Sequence, residues 1–137
     1  MKTGIISLCA LSLFLTLTAC QHHMFLSGER AFDRELASID RIEILILKSF
    51  PVQVQVRITG YLRDSCTTVD HITQSRVNNL FQIHVITKRP VNEACAKLVT
   101  WFEESAALEV SHLPAGTYVV DVNGIRDTFT LNVENRL

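Results

Sequence analysis

Histidines, hydroxyl groups and paired carboxylates are the side chains that catalysis would require. His71, His84 and His112 fall on different predicted strands or turns, without a carboxylate at fixed spacing, so we interpret them as solvated residues. Glu103 and Glu104 are adjacent in a predicted strand and therefore point to opposite faces. No Gly-x-Ser-x-Gly nucleophile elbow occurs in the sequence. We therefore predict no catalytic residues and a protein that is not an enzyme.

The first twenty residues are typical of an export signal. Lys2 is followed by an apolar run from Ile5 to Leu17, and about 13 residues is too short for a membrane span of roughly 20. Leu17-Thr18-Ala19-Cys20 resembles the bacterial lipobox, in which the cysteine thiol takes a diacylglycerol and becomes the mature N-terminus. This resemblance implies a signal peptide over residues 1–19 and lipidation of Cys20. The alternative is ordinary cleavage after Ala19, which leaves Cys20 as a free thiol.

The residues after the signal predict a membrane-anchored tether. Gln21, rather than an aspartate, follows Cys20, as in lipoproteins sorted to the outer membrane of a two-membrane bacterium. The resemblance implies an outer-membrane protein that faces the periplasm and contacts the membrane through its anchor. Residues 20–40 are polar and mixed, and we interpret them as a tether. Its second half has helical spacing of apolar residues from Phe32 to Ile39, which like charges four residues apart weaken.

Counting cysteines predicts one disulfide. Cys9 leaves with the signal and Cys20 is used for lipidation, so Cys66 and Cys95 remain. Two cysteines in an oxidising compartment most simply pair with each other. Two buried free thiols are the alternative. A metal site is disfavoured, because the two cysteines lack the close spacing that zinc sites use.

Composition limits both the size of the protein and its partners. The chain has 13 Lys and Arg against 14 Asp and Glu, scattered evenly, so no basic face for nucleic acid is predicted. The region after the tether is long enough for a single hydrophobic core. We therefore predict one domain over residues 41–137, with no nucleic-acid partner and no cofactor.

That domain is predicted to be all-β. Apolar residues alternate with polar ones from Val52 to Ile58, where Gly60 is expected to end the strand. Asn78-Asn79 and Asn123-Gly124 predict two hairpin turns. Proline cannot donate to a ladder, so residues 89–95 are expected to form a loop. Such spacing favours an antiparallel β-sandwich of about seven strands.

Two resemblances support this architecture. The segment from Leu113 to Val120 is similar to the entry to strand F of immunoglobulin-like and fibronectin type III sandwiches, where a tyrosine, here Tyr118, closes a corner. A broader resemblance is to a group of uncharacterised bacterial lipoproteins, and it implies a disulfide-bonded sandwich without a known activity. Its motifs are Ser49 to Val54, Gly60-Tyr61-Leu62 with Cys66, Arg89-Pro90 with Cys95, Phe102-Glu103-Glu104, and Leu113 through Gly124 to Leu131.

These features favour a binding or accessory module that recognises an envelope protein. Arg89, in the loop that the disulfide would restrain, is the first candidate recognition residue. Trp101 is the second, because Trp101 and Phe102 point to opposite faces and only one of them is needed in the core. Alternatives are an enzyme with an unrecognised site, a structural spacer, or a copper carrier that uses His22-His23-Met24, although acylated Cys20 offers no free amine to complete that chelate.

Overall fold

A computed structural model describes residues 31–136, and this range folds into eight β-strands without a helix. The strands are β1 Phe32–Leu36, β2 Ser38–Leu47, β3 Gln53–Leu62, β4 Thr68–Val77, β5 Leu80–Pro90, β6 Thr100–Leu108, β7 Gly116–Val122 and β8 Ile125–Leu131. The prediction of an all-β sandwich is confirmed. In the described range no helical segment is long and apolar enough to cross a bilayer.

The strands form two sheets. A five-stranded sheet is built around β5, which pairs with β4 along one side and with β1 and then β7 along the other; β8 follows β7. A three-stranded sheet has the order β2-β3-β6. The pairing of β5 with β7 is parallel, so the prediction of a wholly antiparallel sandwich is wrong at this position. The reason is topological: β6 finishes at the end of the sandwich where β5 begins, so β7 enters from that end too.

The core lies between the two sheets and follows the alternation expected from the sequence. Three strands supply its centre: Val54, Val56 and Ile58 from β3, Phe81, Ile83 and Val85 from β5, and Tyr118, Val120 and Val122 from β7. The rings of Phe81, Tyr118 and Phe129 lie 5.4 to 6.0 Å apart, a separation typical of attractive aromatic pairs. The hydroxyl of Tyr118 donates to the Pro114 carbonyl at 2.8 Å, which satisfies its buried polar atom.

The segment predicted to be a tether with a possible helix is partly folded as strand. Residues 32–36 form β1, which pairs with the last five residues of β5. Ala37 is buried where the chain passes from one sheet to the other, and β2 begins at Ser38. Residues 32–36 form a strand and not a helix because, as a strand, they form hydrogen bonds with backbone groups on one side of β5. The fold therefore includes residues 32–40, which the sequence analysis placed in the tether.

The predictions that Gly60 ends a strand and that Pro90 lies in a loop are wrong. Gly60 does not end β3, which continues to Leu62. A Cβ at Gly60 would collide with the Ser38 carbonyl oxygen and lie 2.7 Å from the Phe102 ring, so glycine permits close approach of neighbouring strands. Pro90 is the last residue of β5 rather than part of a loop, and its position at the strand end makes its missing donor harmless.

The side chain of Asn123, in the turn between β7 and β8, links this hairpin to β5 and to Ala37. Asn123 and Gly124 both have positive φ, as a two-residue type I′ turn requires. In addition, the Asn123 Nδ2 donates to the carbonyls of Ala37 and Val85 at 2.9 and 3.0 Å, and Oδ1 accepts from the Val85 amide at 3.1 Å. Its amide therefore fills the place along β5 between the end of β1 and the end of β7.

We predict that Asn123→Gly lowers the free energy of unfolding by about 2 to 3 kcal/mol, because it keeps the turn but removes three partly buried hydrogen bonds worth about 1 kcal/mol each. Denaturant unfolding measures this change. The matched control is Asn78→Gly at the other hairpin, where φ is also positive but the side chain makes no comparable bridge. Equal losses in the two variants would contradict the bridging role.

Candidate functional site

One end of the sandwich brings together most of the residues that the sequence singled out. Cys66 and Cys95 form the predicted disulfide there, with their Cα atoms 5.6 Å apart. The disulfide ties the β5–β6 connection, residues 91–99, to the turn that follows β3. Ser65 reinforces this junction, since its amide donates to the Ala96 carbonyl at 3.0 Å and its Oγ accepts from the Ala96 amide at 3.1 Å. We refer to this region as the disulfide end.

Asp64 organises the turn beside the disulfide. Its Oδ1 accepts hydrogen bonds from the amides of Cys66 and Thr67 and from the Thr67 hydroxyl, at 2.8 to 3.0 Å. Its Oδ2 accepts from Arg89 Nε at 2.7 Å. Arg89, together with the Thr67 and Cys66 donors, holds the pKa of the Asp64 carboxyl well below its usual range, against a smaller opposing effect of burial. Asp64 is therefore a fixed anion that shapes the turn.

Arg89 lies in β5 rather than in the loop where the sequence analysis placed it. Its guanidinium is mostly covered and directed at Asp64, and it also donates to the Pro90 carbonyl at 3.2 Å. A guanidinium committed in this way stabilises the turn and presents little free charge. The structure thus gives Arg89 a clear structural contact, which the sequence did not indicate.

The cluster of Asp64, Cys66 and Cys95 has ligand atoms within 4.8 Å of one another. Metal binding by cysteine needs thiolates, and both sulfurs are joined in the disulfide. The carboxylate is filled by donors, as described above. This set therefore does not fit a metal ion in the oxidised protein.

A small cleft opens beside the same end, between the β1–β2 junction and the end of β3. Glu35, Tyr61 and Arg63 line its mouth, and Arg63 Nη1 contacts Glu35 Oε1 at 2.5 Å. Its volume is about 150 Å³. Pockets for small-molecule ligands are typically about 300 to 1,000 Å³. The cleft therefore fits a few waters better than a substrate.

An exposed aromatic pair lies on the outer face of the three-stranded sheet. Tyr61 and Trp101 are directly opposite each other in β3 and β6, with ring centroids 5.6 Å apart in an edge-to-face arrangement. Trp101 is 65% exposed and Tyr61 40% exposed, whereas Phe102 packs against the core. The prediction that Trp101 and Phe102 lie on opposite faces is confirmed.

Charged residues continue this outer face next to the aromatic pair. Arg57 is in the middle strand and contacts Glu43 at 3.0 Å and Glu103 at 3.8 Å, one on each neighbouring strand. These pairs are exposed and contribute little to stability. The three-stranded sheet thus presents an outer surface with an aromatic end and a charged centre, which we call the aromatic face: Tyr61, Trp101, Arg57, Glu43 and Glu103.

The described histidines are not assembled into a site. His71 Nδ1 lies 2.9 Å from Asp70, which also accepts from Arg34 at 2.8 Å and contacts Lys88 at 3.0 Å. His84 and His112 are exposed, as predicted. Within residues 31–136 no histidine belongs to a cluster of three metal-binding groups. Cys20 and the His22-His23-Met24 motif lie outside the described residues.

We predict that the protein becomes less stable as the medium is acidified. The pKa values of Asp64, Asp70 and Asp121 are lowered, mainly by hydrogen bonds from Arg89, Arg34 and Arg126 respectively. The unfolded chain therefore binds more protons than the folded one. Their stabilisation is complete above the ordinary aspartate value of 3.8 and is lost as the pH falls through it and below.

Denaturant midpoints measured between neutral pH and about pH 2 test this prediction, because paired carboxylates lose their advantage over that range. Asp70→Asn should reduce the pH dependence without changing the fold, since Asp70 lies on the outer side of the five-stranded sheet beside exposed partners. A midpoint that rises on acidification would contradict the assignment.

The roles of Asp64 and Asn135, and the bridge that the Asn123 side chain makes to Ala37 and Val85, are not indicated by the sequence. Asn135 is buried, and its side chain bonds both backbone groups of Val52 and the Val110 carbonyl, at 2.6 to 2.9 Å. Asn123 and Asn135 act through partners that are distant in sequence, and Asp64 combines its neighbours Cys66 and Thr67 with the distant Arg89. A lone asparagine near a chain end gives no signal of such contacts.

Comparison with known proteins places this architecture in a family. Residues 56–131 match the family described as the ORF11 beta-sandwich domain. The "uncharacterized 10.2 kDa protein in HgiCIIM 5′region" of Herpetosiphon aurantiacus is 32% identical over 93 residues, which cover 68% of this chain and 98% of the relative. The "uncharacterized 10.2 kDa protein in HgiBIM 5′region" of the same organism is 31% identical over 83 residues, which cover 61% of this chain and all of the relative. No solved structure matches the chain.

The family match covers more than half of the chain and contains strands from both sheets. The relatives are matched over almost their whole length. The chain therefore belongs to the ORF11 β-sandwich domain family.

Proposed function

We propose that this protein is a lipid-anchored module of the bacterial envelope that binds a partner protein through its aromatic face. The anchor is supported by the export signal and by the lipobox-like Leu17-Thr18-Ala19-Cys20. The Cys66–Cys95 disulfide supports an oxidising compartment, since such bonds persist outside the cytosol. Gln21 favours the outer membrane as the location of the anchor, with the domain facing the periplasm.

The observation that carries the binding role is the exposed Tyr61–Trp101 pair. Trp, Tyr and Arg are enriched at the energetic centres of protein interfaces, and Arg57 lies on the same face. A tryptophan that is 65% exposed keeps a large apolar area in water, which a partner would cover. Because both residues lie opposite each other on paired strands and their rings are in contact, less ordering is needed on binding, which reduces the entropic cost of association.

The ionisable groups favour binding over catalysis. A carboxyl that acts as a general acid needs a pKa raised toward the working pH. The described carboxyls with shifted pKa values, Asp64, Asp70 and Asp121, are instead all shifted downward by neighbouring cations. Each acts as a permanent anion in an ion pair. The small cleft beside Arg63 likewise offers little room for a substrate.

The test is capture of partners from envelope extract by the mature protein. We expect a protein that is retained by the native chain and lost when Tyr61 and Trp101 are both changed to serine. The matched control is Val133→Ser, because Val133 is also strongly exposed, at 59%, but lies outside the aromatic face. Absence of a retained partner at any salt concentration, or robust turnover of an envelope substrate, would reverse the proposal.

A further inference from the structure

The described chain begins at the disulfide end of the sandwich. The Ala31 carbonyl accepts a hydrogen bond from the Val91 amide at 3.0 Å, and Phe32 is opposite Pro90 in the β1–β5 ladder. The chain that precedes Ala31 in sequence therefore joins the domain beside the β5–β6 connection. A membrane anchor upstream of Ala31 would therefore hold the domain by its disulfide end.

The β5–β6 connection exposes apolar side chains at that end. Val91 is 50% exposed, Leu98 58% and Val99 60%, and the Lys97 side chain is adjacent in sequence. The disulfide and the Ser65–Ala96 hydrogen bonds hold the connection against the turn after β3. The apolar residues are therefore presented by a restrained segment. Three exposed apolar side chains on one short restrained connection give this end an apolar character that suits contact with another apolar surface.

The length of chain between Cys20 and Ala31 decides which surface faces a membrane. Eleven residues reach at most about 40 Å when fully extended, and a flexible chain of that length spans about 17 to 20 Å on average. The eleven residues of β5 run about 36 Å along the sandwich. The opposite end would touch the bilayer only with a nearly fully extended tether, whereas the disulfide end reaches it readily.

We infer that the β5–β6 connection, residues 91–99, lies against the headgroup region of the membrane, with Val91, Leu98 and Val99 in contact with lipid. This inference rests on the proposed lipid attachment at Cys20. The anchor holds these residues at a high effective concentration near the bilayer, so weak contacts suffice to orient the domain. The aromatic face then stands beside the membrane, and the end that carries Phe50 and Val77 points into the periplasm.

Two tryptophan reporters test this orientation. Trp101 is the only tryptophan of the chain, so Trp101→Phe gives a background without tryptophan emission. Val99→Trp and Val77→Trp in that background are matched reporters, because both valines are 60% exposed and they lie at opposite ends of the sandwich. Each full-length lipidated variant is reconstituted into phosphatidylethanolamine–phosphatidylglycerol vesicles with brominated acyl chains, and both vesicle flotation and fluorescence are measured.

We expect both variants to float with the vesicles and only the Val99→Trp reporter to be quenched, by about twofold or more, with blue-shifted emission, as for tryptophan at a membrane interface. Flotation with equal quenching of the two reporters, or with none, overturns the inference and leaves the anchor intact. Failure to float overturns the anchor and the inference together. Shielding of the Val99→Trp reporter only on addition of an envelope protein would show a protein-docking surface instead, which also overturns the inference.

Discussion

Replacing Cys66 and Cys95 by serine lowers the free energy of unfolding by about 3 to 4 kcal/mol, the value expected for a crosslink that closes a loop of this length. The two cysteines are 29 positions apart in sequence, and the loop between them contains β4, β5 and the first residues of the β5–β6 connection. Without the crosslink, the unfolded chain gains freedom, and the connection is held by weaker contacts such as its hydrogen bonds to Ser65 and Ala31. Denaturant unfolding of the mature protein measures the loss.

The control for this prediction is reduction of the native protein. In excess dithiol the native chain should unfold at the same denaturant concentration as the double serine variant, and the variant itself should not respond to the dithiol. A native protein that is as stable reduced as oxidised would show that the Cys66–Cys95 bond does not restrain the fold.

Changing Trp101 to serine weakens binding of the captured partner by about 30-fold or more, as expected when a central aromatic residue of an interface is truncated. The stability of the domain should hardly change, because Trp101 is 65% exposed in the free protein. Titration of the partner with native and variant proteins gives the ratio of dissociation constants, and thermal unfolding of the same samples checks the fold.

Val133→Ser is the control for Trp101 as well, since it removes a comparably exposed apolar residue outside the aromatic face. Its affinity should match that of the native protein. If the Trp101 and Val133 variants bind equally well, the partner uses another surface and the role assigned to the Tyr61–Trp101 pair is wrong.

The strands and hairpins could be predicted from sequence where local rules determine them. The alternation of Val54, Val56 and Ile58 with polar neighbours is visible in one strand alone, and these residues are fully buried as expected. Asn123-Gly124 needs no distant partner to favour a type I′ turn. The all-β sandwich follows from several such local signals in succession.

Pairing between distant segments could not be predicted in the same way. Residues 32–36 show apolar spacing that suits a helix. They form a strand because they pair with residues 86–90 of β5, which are distant in sequence. Likewise, the parallel pairing of β5 with β7 depends on the path of the chain after β6. The place of Pro90 in β5 could not be predicted either, because a proline is tolerated there only as the last residue of the strand.

The site shows the same division. Cysteine counting correctly predicted the disulfide, because two thiols leave one simple pairing, and strand alternation correctly separated Trp101 from Phe102. The contact of Arg89 with Asp64, 25 residues earlier, has no local signal, so its place in β5 and its ion pair could not be predicted, and its recognition role stays a prediction. Lipidation of Cys20 stays a prediction from the lipobox-like sequence.

The mass of the N-terminal peptide, measured on protein purified from bacterial membranes, tests the proposed membrane attachment most directly. We predict that the mature chain starts at Cys20 and that this residue carries a diacylglyceryl group and further acylation. A peptide that still begins with Met1, or a Cys20 without any fatty acid, would contradict the envelope anchor and the orientation inferred from it.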